Sequence, residues 1–281
     1  MKDIYDILRE VKRRSDETFA LATLVRAQGS SYRRPGARML ICEDGLTIGS
    51  LSGGCLEEEV ALRAREVLQT GESMMMSFDT RKRFGCHGKI DIFIERVSEK
   101  YLSDIAADLD ARHTHLAVTT FDECEFIQEI HPPIRLLLFG DGPDTGSLVS
   151  LGRLLGWETF QLSDPNGMEP DDRTAVIVKS HNYGRDFAAL QKLLPLNLRY
   201  LGLIGPRKRR DQLLNDLLEV GIAINAGFFA PAGLDLGAET PEEIAFAIIS
   251  EIQRVFAHGS GFSLRERKMS IHAAECKIPA R

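Results

Sequence analysis

The sequence predicts an α/β protein: an N-terminal α+β domain followed by a Rossmann-like domain built on a doubly wound parallel sheet. Three observations carry that expectation. From residue 135 onward, short apolar stretches alternate with roughly ten-residue segments of helical spacing, the pattern of parallel strands joined by crossover helices. The first of those strands runs into a glycine-rich turn, Gly140-Asp141-Gly142-Pro143-Asp144-Thr145, that opens a helix. Before residue 100 the chain is instead a series of strand-like stretches with two helical segments among them.

Taken in order, Ile4, Ile7, Leu8 and Val11 recur at helical spacing, with Asp3 ahead of them and Lys12-Arg13-Arg14 behind, charges that suit the two ends of a helix dipole. Stretches 19–27 and 37–42 read as strands, and 45–49 returns after a Glu-Asp-Gly turn as a hairpin. Leu56, Val60, Ala64, Val67 and Leu68 mark one helix face, with Gly71 as the stop. Strands at 73–79 and 90–96 flank the loop that holds Cys86, the second of them alternating only partly. Residues 98–134 offer one helical stretch, a strand at 115–121 and the breaker His131-Pro132-Pro133.

Beyond that breaker the order is strand 135–139, helix 145–155, strands 158–162 and 174–179, helix 185–194, strand 200–204 and helix 207–220. Thr240-Pro241-Glu242-Glu243 supplies a capping hydroxyl, a proline at the first helical position and a carboxylate three residues after the cap, so a last helix starts there. The expected domains are 1–100, a connecting segment 101–134, and the Rossmann-like domain 135–281.

Composition narrows the function. With 43% hydrophobic and 27% charged residues the chain is of ordinary globular make-up. The net charge of −6 gives no basic face for nucleic acid. No apolar run reaches the length of a membrane span, and the first residues lack the apolar core of a secretion signal, so the expected location is the cytoplasm. Five cysteines, none in a C-x-x-C spacing, fit free thiols better than a disulfide framework or a zinc ribbon.

Two of those cysteines are wedged among glycines, Cys55 after Gly53-Gly54 and Cys86 in Gly85-Cys86-His87-Gly88. Glycine lets backbone amides approach a ligand closely, and Cys55 stands at the start of a helix whose positive end favours a thiolate. The plainer reading of Cys55 is a small hydrophobe at a turn, and His87 reads equally as a base, a ligand or a loop residue. Cys42, Cys124 and Cys276 have no such setting and default to core or surface thiols.

The loop Ser30-Ser31-Tyr32-Arg33-Arg34-Pro35-Gly36-Ala37-Arg38 offers hydroxyls, arginines and a glycine to a phosphate or another anion, although a solvated loop would look the same. Gly140, Gly142 and Asp164 stand where a dinucleotide site needs glycines for the pyrophosphate and an acid for the ribose. The spelling departs from that pattern, because Asp141 brings a carboxylate, Pro143 removes an N–H and the third glycine is delayed to Gly146. His181 follows a strand at its carboxyl end, and Arg207-Lys208-Arg209-Arg210 puts positive charge at a helix start, an anion site or a solvated face. On residues alone, two function classes compete: an NAD(P)-dependent thiol oxidoreductase using Cys55 and Cys86, and a zinc-thiolate protein using Cys55, Cys86 and His87.

Longer segments carry a resemblance. Gln28-Gly29-Ser30-Ser31 with Arg34-Pro35-Gly36-Ala37-Arg38-Met39, and Gly49-Ser50-Leu51-Ser52-Gly53-Gly54-Cys55-Leu56-Glu57, resemble the N-terminal domain of the XdhC/CoxI family of xanthine dehydrogenase accessory proteins. Tyr200-Leu201-Gly202-Leu203-Ile204-Gly205 and residues 231–245 resemble that family's Rossmann-like domain.

The resemblance implies a protein that binds the molybdenum cofactor (molybdopterin) transiently and shields it. It also implies cooperation with a cysteine desulfurase or other sulfurase that installs a terminal sulfido ligand, and delivery to an apo molybdenum hydroxylase of the xanthine dehydrogenase type. Such a protein is an accessory factor more than an enzyme, and a homodimer. On this reading Cys55 and Cys86 are the catalytic and metal-ligating thiols near the molybdenum or its sulfur. Ser30, Arg34 and Arg38 lie near the pterin phosphate with Gly53 and Gly54 beside the thiol. His181, Arg207, Gly140, Gly142 and Asp164 are the ligand-binding candidates of the Rossmann-like domain, which closes the cleft.

The chain departs from the family in four places. Asp141, Pro143 and Asp144 interrupt a turn that usually reads G-A-G-H-V-A. His87 replaces a glycine of G-C-G-G, Ser180-His181-Asn182 stands for T-H-D, and Ile204-Gly205-Pro206-Arg207 stands for I-G-S-R.

Overall fold

A computed structural model describes residues 2–14, 17–29, 31–79, 88–121 and 123–266. The described chain divides into two compact units, the first running to Pro132 and joined by Ser263–Glu266, the second spanning Pro133–Phe262.

The first unit is organised around β1 (Phe19–Gly29), the middle strand of a five-stranded antiparallel sheet in the order β3-β2-β1-β5-β4. Its partners are β2 (Arg38–Cys42), β3 (Thr47–Gly49), β4 (Met74–Asp79) and β5 (Gly88–Val97). β1 is an almost unbroken apolar run because both of its faces are covered, and successive side chains serve opposite layers. Ala20, Ala22 and Leu24, with Met39, Ile41, Ile92 and Ile94, meet Val60, Ala64 and Val67 of α2 (Glu57–Thr70).

Phe19 and Leu21, with Leu40, Cys42 and Val97, meet Ile4, Ile7 and Val11 of α1 (Lys2–Arg13) and Leu102, Ile105 and Leu109 of α3 (Glu99–Asp110). The hairpin of β6 (His115–Phe121) and β7 (Cys124–Ile130) adds Ala117 and Ile130 to the same layer. The partial alternation at 90–96 has this cause: Ile92 and Ile94 of β5 serve one layer, and Val97 the other. α2 stops where the sequence placed its end, with Gly71 left-handed at φ +76° and its N–H on the Val67 carbonyl. The expectation for 98–134 had no counterpart to β7, whose exposed Glu125 and Glu129 disguise its strand pattern.

The second unit is a parallel sheet in the order β12-β11-β10-β8-β9. The strands are β8 (Arg135–Phe139), β9 (Glu158–Leu162), β10 (Thr174–Val178), β11 (Tyr200–Leu203) and the two-residue β12 (Phe228–Phe229). α4 (Thr145–Leu154) and α7 (Pro241–Phe256) are built into one core layer with Leu136, Leu138, Ala175 and Ile177. α5 (Tyr183–Leu193) and α6 (Arg207–Glu219) share the other with Leu137, Val176, Val178 and Leu201. The sheet is therefore doubly wound, as the alternating sequence predicted. α7 starts on the capping box read from the sequence: the Thr240 hydroxyl accepts from the Glu243 N–H, and the Glu243 carboxylate accepts from the Thr240 N–H. The strand order turns back between β8 and β10, so the carboxyl ends of these two strands border the crevice where open α/β sheets receive ligands.

Candidate functional site

In the first unit the candidate site is the loop between β3 and α2, residues 50–56, together with the loop between β1 and β2. The Glu57 carboxylate, on the first residue of α2, holds the former from behind. One oxygen accepts from the Ser50 hydroxyl (3.0 Å) and the Leu51 and Ser52 N–H groups (3.1 and 2.8 Å). The other accepts from the Ser52 hydroxyl (2.7 Å) and the Leu56 N–H (3.1 Å). Burial on its own would raise this acid, but these bonds from Ser52, Leu56 and the helix start outweigh it and pull Glu57 down to about 2. The amides at the start of α2, which the sequence offers to a thiolate, thus already face a carboxylate.

Wrapped this way, the loop turns its glycines and thiol outward. Gly54 is at φ +101° with nothing near the place a Cβ would take, and Cys55 is an exposed free thiol whose N–H rests on the Ser52 hydroxyl at 3.2 Å. A Cβ on Gly53 would lie 3.9 Å from the ring of Tyr32, which is itself 71% exposed. The β1–β2 loop therefore adjoins the thiol loop.

The three arginines of the β1–β2 loop have separate fates. Arg34 is exposed; Arg33 pairs with Asp3 of α1; Arg38 is 3% exposed, on β2, with one guanidinium nitrogen on the Gln128 amide oxygen of β7. Gly36 makes this last contact possible, since a Cβ there would fall inside the Gln128 side chain. Burial pulls Arg38 below its ordinary value against the opposing pull of Tyr101 and Glu95, and it pushes Glu95 up. Arg38 Nε and Nη2, Thr23 Oγ1, Tyr101 Oη and Thr119 Oγ1 are all buried without a hydrogen-bond partner. A cavity of about 50 Å³, lined in part by Asp3, Arg33, Gly36, Arg38 and Gln128, adjoins this cluster. Ser30, Cys86 and His87, and with them the second thiol and two of the three residues of the zinc-thiolate reading, lie outside the described residues. Among the described residues no group of three His, Cys, Asp or Glu side chains is placed to hold a metal ion.

In the second unit the glycine turn folds against the end of β10. Gly140, at φ +109°, passes so close to the Ser180 backbone that a Cβ would come within 2.6 Å of it. Gly142 lies over three side chains: a Cβ there would be 2.8 Å from Asp144 Oδ1, 3.2 Å from Lys179 Nζ and 3.3 Å from His181 Nε2. Lys179 is completely buried and donates to Asp144 Oδ1 and Thr145 Oγ1, both at 2.7 Å. His181 is exposed and left-handed at φ +53°, which is uncommon for a residue with a Cβ.

Asp164 closes a small turn, accepting from the N–H and the side-chain amide of Asn166. It also lines a cavity of about 210 Å³ with Gly140, Ser180, Arg185 and Lys192. The basic run at the start of α6 does not act as one patch: Arg209 pairs with fully buried Asp186, Arg210 with Asp211 and the Ala230 carbonyl, and Arg207 is exposed. The fold thus brings Gly142 and His181 together, gathers Gly140 and Asp164 round the cavity, and leaves Arg207 outside both groups.

Glu57, Lys179 and Asp186 are the residues that sequence reasoning passed over. Glu57 closes the thiol segment and had no role there, although an acid at the first position of a helix is a readable signal. Lys179 directly follows an apolar strand and gave none, whereas Asp186, an acid in the first turn of α5, gave a signal of the same kind as Glu57.

Comparison with known proteins follows the same division. The model described as the XdhC and CoxI family matches residues 13–79, and the model described as the XdhC Rossmann domain matches residues 136–252. A Bacillus subtilis (strain 168) protein described as a probable xanthine dehydrogenase component is 29% identical over 84% of this chain and 92% of its own. The molybdenum cofactor insertion chaperone PaoD of Escherichia coli (strain K12) is 24% identical over 85% of this chain and 83% of its own. A crystal structure described as a xanthine dehydrogenase from Bacillus halodurans shares the fold, with a TM-score of 0.80 at 24% identity, covering 92% of this chain and 96% of that one.

Proposed function

Because the chain belongs to the XdhC and CoxI family, we propose that it is an accessory protein of the molybdenum cofactor, which it holds as cargo for insertion into a molybdenum hydroxylase of the xanthine dehydrogenase type. The observation that carries this reading is Cys55: an exposed thiol on a glycine-flanked loop whose backbone is fixed from behind by Glu57. A thiolate is a soft donor suited to molybdenum or to the sulfur bound to it. A loop that is already ordered loses little further entropy in closing on its cargo.

The cargo also carries a phosphate, and the residues beside the thiol fit it in part. Arg34 is exposed on the adjoining loop, whereas Arg38 takes part only through the cavity under Gly36. Gly53 and Gly54 leave open backbone beside the thiol, and Tyr32 offers a ring face to a flat heterocycle. We assign Cys86 and Ser30 to the same site by family resemblance. On the same ground a cysteine desulfurase is the partner that supplies the terminal sulfur, two copies of the chain act together, and the work is done in the cytoplasm without the chain itself turning over a substrate.

The test is co-expression with cofactor biosynthesis, followed by molybdenum and pterin analysis of the purified protein. Wild type is expected to retain both, and Cys55→Ala, which alters an exposed side chain, to fold normally but lose most of the cargo. Undiminished retention in folded Cys55→Ala would remove the thiol from the site, and absence of both molybdenum and pterin from wild type would remove the function.

A further inference from the structure

We infer that in the second unit the chain's own Asp144 carboxylate, buried beneath the glycine turn, claims the Lys179 ammonium, so that this unit takes no dinucleotide phosphate unless Asp144 is displaced. The inference stands on residues 133–262 and does not rest on the cargo reading of the first unit.

The carboxyl ends of β8 and β10, on either side of the reversal in strand order, border the place where a dinucleotide would lay its pyrophosphate against the glycine turn and the start of α4. In this chain a buried charge pair lies directly under that place. Lys179, completely buried, directs its ammonium to Asp144 Oδ1 and Thr145 Oγ1 directly beneath Gly142. Asp144 is the residue before α4, where a carboxylate ordinarily accepts from the helix's own amides, yet its side chain makes no such bond and turns to the lysine instead.

Asp144 is 6% exposed, and its second oxygen is buried with no hydrogen-bond partner. A buried carboxylate oxygen left without a donor is costly, so Asp144 is held there by the lysine. A phosphate arriving at the turn would meet a like charge, would find no N–H at Pro143, and would have to separate Asp144 from Lys179 before gaining the ammonium for itself.

Titration calorimetry on the full chain with NADH and with inorganic pyrophosphate tests this. Wild type is expected to bind neither at millimolar concentration. Asp144→Asn keeps the shape but leaves Lys179 without a counter-charge, and pyrophosphate affinity should rise by at least about tenfold and fall with added salt. Asp144→Gly, which removes the blocking group altogether, should gain affinity in the same direction and serves if the asparagine variant fails to fold. Adding Lys179→Met to either should abolish the gain.

Micromolar binding of NADH or pyrophosphate by wild type would overturn the inference, and so would a folded Asp144→Gly chain with no gained affinity. Either result would leave molybdenum and pterin retention through Cys55 untouched, so the two readings fail separately.

Discussion

Replacing Glu57 by alanine should release the 50–56 loop while leaving the rest of the first unit folded. The side chain accepts five hydrogen bonds from residues 50–56, at 2.7 to 3.1 Å. A bond to a charged acceptor contributes about 1.5–3 kcal/mol when its partner would otherwise be left unsatisfied. Here the loop is only part-buried, so water takes over some of the freed donors, and the loss should come to about 2–3 kcal/mol rather than the sum over all five.

The readout is amide hydrogen exchange at Leu51, Ser52 and Leu56, whose N–H groups the carboxylate holds. At about 1.4 kcal/mol per factor of ten, their protection should drop roughly 30- to 140-fold. The amides of β1, between two core layers, should keep theirs. Glu57→Gln, which keeps a neutral acceptor but presents N–H to N–H at Leu56, should fall about halfway on the same scale. The pH dependence has a definite sign: Glu57 is held at about 2 against an ordinary 4.5. The stabilisation is therefore fully present above that ordinary value and is lost as the pH falls toward the folded one. If exchange at Leu51, Ser52 and Leu56 is unaltered in Glu57→Ala, the carboxylate does not hold the loop and the case for a pre-ordered thiol site fails with it.

Gly49→Ala places a Cβ 2.3 Å from the Arg38 carbonyl oxygen at a position with φ +91°, so it should cost the first unit at least about 2 kcal/mol in thermal or denaturant unfolding. A thiol-specific reagent under mildly alkaline, native conditions should label exposed Cys55 and Cys124 rapidly and Cys42 hardly at all, because burial pushes the Cys42 thiol up to about 11 and shuts out the reagent; rapid labelling at Cys42 would contradict its place in the core. Thr240→Ala removes the hydroxyl half of the α7 cap and should destabilise the second unit by about 1 kcal/mol, a change that denaturant titration resolves.

Much of the fold was legible because local chemistry and long-range packing asked for the same thing. The capping box at Thr240 and the left-handed stop at Gly71 are local devices, and both stand where the residues place them. The alternation of short strands and helices after residue 135 is equally direct, since a strand covered on both faces reads as an uninterrupted apolar run. β7 escaped notice because its exposed face carries glutamates, and β12 because two residues have no periodicity to read.

Trp157 shows the same limit in a different form. By sequence it follows the first helix of the Rossmann-like domain and invites use as a reporter of nucleotide binding. It lies in the core immediately before the first residue of β9, at the amino ends of the parallel strands, whereas the glycine turn and Lys179 are at their carboxyl ends. Calorimetry is for that reason the better probe.

Glycines, caps and apolar spacing act on the backbone within a few residues, and so most of the elements and the two-part architecture could be read along the chain. The pairing of charges could not. Arg33, Arg34 and Arg38 lie within six positions of the chain, yet Arg38 is buried against Gln128, Arg33 is paired with Asp3 and Arg34 is exposed. Asp144 and Lys179 are 35 positions apart and give no sign of each other in the sequence, and they meet only because β8 and β10 lie side by side. A charge acts through space on whatever the fold brings near it, and which groups those are is fixed by strand order rather than by spacing along the chain.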